Sequence, residues 1–208
     1  MVKQVIFDVG NVLMGFHTRE LTARFAPDPA DAAFLHQEIF LHPDWPRLDR
    51  GEEEAVVVEA MLGHIPDRLR EAAGALLAVW DEALVPIGET NALAADLAEL
   101  GVPLYILSNT PKRFYQFRER IPAWPLMRGA VLSCEERLLK PDLAIYRRLL
   151  DRFGLLAGDS FFIDDSYTNI EAARWCGMQG HFYRNDAAAL RHALRRAGIP
   201  LPEEGERA

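Results

Sequence analysis

Basic residues are in the minority in this chain, and those present are scattered. Asp and Glu outnumber Lys and Arg by 31 to 23, for a formal net charge of −8. No Lys/Arg stripe stands out of the kind that grips a phosphate backbone, which excludes a nucleic-acid binder. The nearest approach, Arg191 to Arg196, falls on an amphipathic helix expected from Ala187 to Ala197. Basic residues late in such a helix suit its dipole, and a solvated face accounts for them.

Cysteine is scarcer still. Cys134 and Cys176 are the whole complement, too few for a disulfide scaffold and without the paired spacing of a zinc site, so both are read as free thiols. No apolar stretch approaches the ~20 residues of a membrane span. The N-terminus enters a strand without a charged and apolar leader. Internal repeats and low-complexity tracts are also missing. A cytoplasmic protein with no membrane partner is expected. With 208 residues, half of them hydrophobic, the chain is long enough for one sizeable core, or for a main domain carrying a smaller insertion.

What the chain does have is two strands that end in acid. Val5-Ile6-Phe7 is an apolar run too short for a helix, and it delivers Asp8 into the turn Val9-Gly10-Asn11. Ser160-Phe161-Phe162-Ile163 stops at the adjacent pair Asp164-Asp165. A lone Asp at a strand end is ordinarily a turn or cap residue. Three carboxylates brought together repel one another and are costly to desolvate, so such a site calls for a cation, and all-oxygen ligation suits magnesium. Open α/β sheets place their ligands at strand C-terminal ends.

Further β-rich runs are Pro103 to Ser108, Ala130 to Leu132 and Gly180 to Tyr183. Helical stripes lie between them: Leu93, Leu97 and Leu100 closed by Gly101; Ile145, Leu149 and Phe153, opened by Pro141 and closed by Gly154; and Thr168 to Cys176, followed by Gly177. The alternation predicts an α/β fold, a Rossmann-like three-layer parallel sheet. From about Phe16 to Leu84 it breaks into helical windows punctuated by proline and glycine, with no convincing strand. The expected organisation is a core of residues 1–15 and 85–200, a helical cap over 16–84 placed above the strand tips, and a frayed tail over 201–208.

Taken in order, Phe7-Asp8-Val9-Gly10-Asn11-Val12-Leu13, Ile106-Leu107-Ser108-Asn109-Thr110, Lys140-Pro141-Asp142 and Phe162-Ile163-Asp164-Asp165-Ser166 resemble the four motifs of the haloacid dehalogenase-like hydrolase superfamily. The likeness spans nearly the whole chain, insertion included. Its detail is similar to the sugar-phosphate phosphatases typified by α-D-glucose-1-phosphatase. It implies a Mg2+-dependent hydrolase of a small phosphate monoester, a sugar phosphate by that likeness, with Asp8 as nucleophile and an aspartyl-phosphate intermediate. It also implies that Asp8, the carbonyl of Gly10 and Asp165 hold the metal, with Asp164 as a further ligand, an outer contact or only a turn cap. Ser108 and the N–H of Asn109 would hold a phosphoryl oxygen, and Lys140 would neutralise phosphate and Asp8. Asn169 stands where many relatives carry another acid, and either binds a metal-bound water or caps its helix. In the loop Asp49-Arg50-Gly51-Glu52, Arg50 is the residue expected to meet substrate.

One departure bears on mechanism. Many phosphatases of the superfamily carry a second Asp two positions after the nucleophile, as proton donor to the leaving oxygen; this chain has Gly10, which has no side chain to exchange protons. His17 is the candidate replacement. Three rival readings remain: a metal-independent 2-haloacid dehalogenase, which the acidic pair disfavours; a catalytically weak scaffold, for which Gly10 is the support; and a phosphomutase, which the missing acid disfavours.

Overall fold

The computed structural model describes residues 1–202. Five parallel strands form the central sheet in the order β5-β4-β1-β6-β7: β1 (Gln4–Phe7), β4 (Leu104–Ser108), β5 (Met127–Leu132), β6 (Ser160–Asp164) and β7 (Gln179–Phe182). All five expected strands are present. A further two-stranded antiparallel ribbon, β2 (Met14–Phe16) with β3 (Leu84–Pro86), was not anticipated. It takes in both ends of the segment expected to lack strands.

Alternation along the strands builds three layers. Val5 and Phe7 of β1, with Ile106, Phe161 and Ile163 of its neighbours, point into one apolar core. Ile6, Tyr105, Leu107 and Phe162 point into the other, as a period of two residues requires. Helices Gly88–Glu99 and Ala187–Arg196 cover the first face through Leu93, Leu97, Leu190 and Leu194. Helices Leu143–Phe153 and Tyr167–Trp175 cover the second through Ile145, Tyr146, Leu149 and Ile170. The first pair is followed by Gly101 and Gly198 (φ +76° and +97°) and the second by Gly154 and Gly177 (φ +63° and +86°), left-handed positions where the absence of Cβ removes the penalty. Pro141 lies two residues ahead of its helix rather than opening it. Asp142 is the N-cap, accepting from the Ala144 N–H, because the Lys140–Pro141 turn must first be completed.

Between β2 and β3 the chain forms helices Thr18–Phe25, Pro29–Phe40, Trp45–Asp49, Glu54–Gly63 and Asp67–Ala78. Their apolar faces, among them Leu35, Ile39, Met61 and Leu76, belong to the same core as Val5 and Phe7. Ion pairs fasten the outer edge of this segment to the stretch after β4: Lys112 with Glu53 at 2.6 Å, Arg113 with Glu54 and with Asp81 at 3.3 Å, and Arg120 with Asp81 at 3.0 Å.

Both cysteines are free thiols, Cys134 buried and Cys176 half-buried. Among the described residues no helix is long and apolar enough to cross a membrane. Of the expected tail, Leu201 is buried instead, its N–H bonded to the Ile199 carbonyl, and residues 203–208 lie outside the described residues.

Candidate active site

The chain runs from β1 to β4 and β5 on one side of the sheet, then crosses back to β6 and β7 on the other. The loops after β1, β4 and β6 therefore diverge around one crevice at their C-terminal ends, the kind of switch point where such sheets bind ligands. Asp8, Ser108 and Asp164 stand at these three adjacent tips. All three are buried, and Asp164 is fully enclosed.

Lys140 ties the tips together. Its Nζ lies 2.8 Å from Asp8 Oδ1 and 2.6 Å from Asp164 Oδ2, and it donates to the Leu107 carbonyl at 3.1 Å. Burial opposes its charge, but Asp164 and Asp8 outweigh that and hold the ammonium above its ordinary range. The Lys140–Pro141 peptide bond is cis. Asn109, expected at the phosphate, spends its side chain elsewhere: its Nδ2 donates to the Lys140 carbonyl at 3.0 Å and its Oδ1 accepts from the Lys140 N–H at 2.8 Å.

Oxygens of Asp8, Asp164 and Asp165 all lie within 4.8 Å of one another. With one ammonium against three carboxylates, the cluster is short of positive charge when all are ionised. Burial, then the negative charges of Asp164 and Asp165, pushes the Asp8 carboxyl up despite Lys140. Burial also raises Asp165, against the bond it accepts from Asn11. Asp8 Oδ1 faces Lys140 but accepts no well-directed hydrogen bond, so an oxygen of the cluster retains ligand capacity. An all-oxygen set, surplus negative charge and an under-used buried oxygen together fit a hard divalent ion such as magnesium.

The acids are held from behind. Asn169 Nδ2 donates to both oxygens of Asp164, at 3.0 and 3.1 Å, and Ser166 N–H donates to Oδ1 at 2.7 Å; the turn-cap role weighed for Asp164 is thus present together with its place in the cluster. Asn11 Nδ2 donates to Asp165 Oδ2 at 2.9 Å, while its Oδ1 accepts from Phe16 N–H at 3.1 Å. Asn11 sits at φ +52°, a conformation that asparagine tolerates better than most residues. Behind that turn, buried Thr90 donates to the Val12 carbonyl and Asn91 to the Leu13 carbonyl.

Above the tips is a cavity of about 200 Å³ bounded by Gly10, Ser108 and Asn109 on one side and by Phe16, Trp45 and Trp80 on another. The aromatic rings contact one another, with centroids 6.1 Å apart for Phe16 and Trp45 and 5.3 Å for Trp45 and Trp80. Asp49 also lines this space; Arg50, the residue expected to meet substrate, is exposed and does not. His17 likewise turns outward, with a 54 % exposed side chain beside Glu20. Sequence reasoning named Asp49 only as part of the loop of Arg50, and passed over the aromatic wall. A Trp-Pro-x-Leu-Asp helix followed by glycine was the available signal.

The chain matches the family model described as haloacid dehalogenase-like hydrolase over residues 2–177. It is 28 % identical to the sesquiterpene phosphatase astK of Aspergillus oryzae over 194 residues, which cover 93 % of this chain and 95 % of that protein. Its fold is similar to that of a HAD family enzyme from Bacteroides thetaiotaomicron solved in complex with magnesium and inorganic phosphate, with a TM-score of 0.69, 20 % identity and coverage of 91 % of this chain and 99 % of that one. L-2-haloacid dehalogenase from Xanthobacter autotrophicus is similar at a TM-score of 0.67 and 20 % identity, covering 97 % of this chain and 85 % of the other.

Proposed function

The chain belongs to the haloacid dehalogenase-like hydrolases, and on that premise we propose that it is a magnesium-dependent phosphatase acting on a small phosphate monoester, with the helical segment over 16–84 as its cap. The observation that carries this reading is the gathering of Asp8, Asp164 and Asp165, with oxygens within 4.8 Å of one another, around a site where the buried ammonium of Lys140 pairs with the first two alone. Asp8, Asp164, Asp165 and the carbonyl of Gly10 would hold the ion. When bound, magnesium supplies positive charge against the phosphoryl oxygens and the carboxylates.

The chain's own groups do the rest. Asp8 is aimed by Lys140 and attacks phosphorus, breaking the bond to the ester oxygen and forming an aspartyl-phosphate. Water then cleaves that acyl phosphate, returning the Asp8 carboxylate and free phosphate. Ser108, which lines the cavity floor, donates through its hydroxyl to a phosphoryl oxygen, as does the Asn109 N–H. Lys140 neutralises charge as it builds up on phosphate. The Asn109 side chain serves by fixing Lys140.

The cavity wall speaks to the organic half of the substrate. Phe16, Trp45 and Trp80 offer ring faces where a polyol would want hydrogen-bond partners, and apolar surface removed from water is favourable by roughly 25 cal/mol per Å². That lining supports an ester of an apolar alcohol over a sugar phosphate, in keeping with a relative that is a sesquiterpene phosphatase. Arg50, exposed at the rim, is left to meet solvent-facing parts of a substrate.

The test is phosphate release from alkyl, prenyl and sugar phosphates with magnesium and with EDTA, alongside chloride release from 2-haloacids. Magnesium-dependent phosphate release, abolished by Asp8→Asn in a protein of unchanged circular dichroism, is expected. Metal-independent dehalogenation, or undiminished phosphatase activity of Asp8→Asn, would overturn the reading.

A further inference from the structure

Gly10 leaves the first strand tip without a side chain to move protons, yet the site holds an acid with no other employment. Asp49 ends the helix Trp45–Asp49 and is half-buried at the wall of the cavity that Gly10 and Ser108 floor. Among the described residues its carboxyl has no ion pair and no hydrogen bond. Its neighbours on the wall are Phe16, Trp45 and Trp80, which offer a carboxylate little solvation. An unpaired acid in such surroundings is costly unless it serves a ligand.

Its position is fixed through the backbone. The Ser133 hydroxyl donates to the Asp49 carbonyl at 2.6 Å and itself accepts from the Thr110 N–H at 2.9 Å, which ties the loop to the turn following Ser108. Two residues on, Gly51 at φ +80° lies so close to the Cys134 carbonyl that a Cβ there would stand 2.2 Å from the oxygen. The loop is therefore seated directly on the core. A Cβ at Gly10, by contrast, would meet nothing within 4 Å, so the floor beneath Asp49 is open.

We propose that Asp49, supplied by the insertion, is the catalytic acid and base that Gly10 cannot be. This role rests on the phosphatase reading above. As Asp8 attacks phosphorus and the bond from phosphorus to the ester oxygen breaks, the Asp49 carboxyl gives its proton to that oxygen, so the alcohol leaves neutral and Asp49 is left as carboxylate. In the second half, a water oxygen bonds to phosphorus while Asp49 takes one proton from that water; the bond from phosphorus to Asp8 breaks and phosphate departs. Asp49 is then protonated again and ready for the next ester. The charged groups facing it are Asp8 and Lys140 from the sheet tips, with the Cys134 thiol beneath the loop. Burial, then the charge of Asp8, pushes its carboxyl up to about 7, with Lys140 opposing, so both protonation states are accessible near neutrality.

The experiment measures pre-steady-state release of the leaving group by the magnesium-loaded protein, using p-nitrophenyl phosphate and alkyl phosphates of graded leaving-group acidity. A nitrophenolate needs no proton to depart; an alkoxide does. Asp49→Asn is expected to slow alkyl ester cleavage by about 10²–10⁴-fold, the usual worth of general acid–base catalysis, and to slow nitrophenolate release far less. Adding Gly10→Asp to Asp49→Asn is expected to recover alkyl ester cleavage at least in part, which also shows that the single variant was folded. Equal losses on every leaving group, no loss on any, or no recovery in the double variant would overturn the role of Asp49 alone. A wild-type protein that releases phosphate from no ester would overturn the phosphatase reading and this role together.

Discussion

Asn109 and Lys140 clasp each other across 31 positions of sequence: the amide of one donates to the carbonyl of the other at 3.0 Å and accepts from its N–H at 2.8 Å. The contact does for the Lys140 turn what a paired strand would do, and so decides where the ammonium stands between Asp8 and Asp164. Asn109→Ala leaves both main-chain groups without a partner, at a cost of about 1–3 kcal/mol. A lower urea midpoint is expected, together with a kcat that falls more than KM changes. An unchanged midpoint would show that water replaces the clasp without loss.

Magnesium and protons should compete for the same carboxylates. Asp8 is raised from 3.8 to about 7, by burial first and then by its acidic neighbours. A carboxyl whose folded pKa lies above its unfolded one keeps more protons in the native state, so through this group stability falls as pH climbs between those two values. A cation seated among the carboxylates relieves the penalty and displaces the proton. Calorimetry across this range should therefore show a gain in Tm on adding magnesium that is small in mild acid and grows as pH passes about 7. A gain largest in acid, or indifferent to pH, would place the ion elsewhere.

Gly51→Ala tests the seating of the loop that carries Asp49. A methyl group there meets the Cys134 carbonyl oxygen at 2.2 Å in a left-handed backbone position, so main chain has to move, with at least about 1–3 kcal/mol of strain. Reduced stability and slower alkyl ester cleavage are expected together. Gly63→Ala is the control: it ends a helix, and its added methyl meets nothing within 4 Å. Its stability should change little.

The sheet was legible because its strands are short apolar runs closed by turn residues, and the acids at their ends were legible because carboxylates in such places need a reason. The ribbon of Met14–Phe16 and Leu84–Pro86 was not, since three-residue strands containing Gly15 and Pro86 carry no periodic signal. Thr90 and Asn91 brace the turn leading into it by bonds to Val12 and Leu13, 78 positions away in each case. Within the loop Asp49-Arg50-Gly51-Glu52, Arg50 rather than Asp49 stands out for a similar reason. Which of two adjacent side chains enters a cavity depends on the turn of the backbone between them, and Ser133 sets that turn from 84 positions downstream. Asn109 shows the same limit: the clasp its side chain makes with Lys140, 31 positions away, leaves no mark in the letters around it.

The ion pairs joining Lys112, Arg113 and Arg120 to Glu53, Glu54 and Asp81 do not all answer to salt alike. Attractions between solvent-facing charges fade over about 8 Å in physiological salt and over less in stronger brine. Of these pairs Lys112 with Glu53 faces solvent on both sides and loosens first as the electrolyte thickens, while Arg113, with a side chain only 12 % exposed, keeps its hold on Glu54 and Asp81.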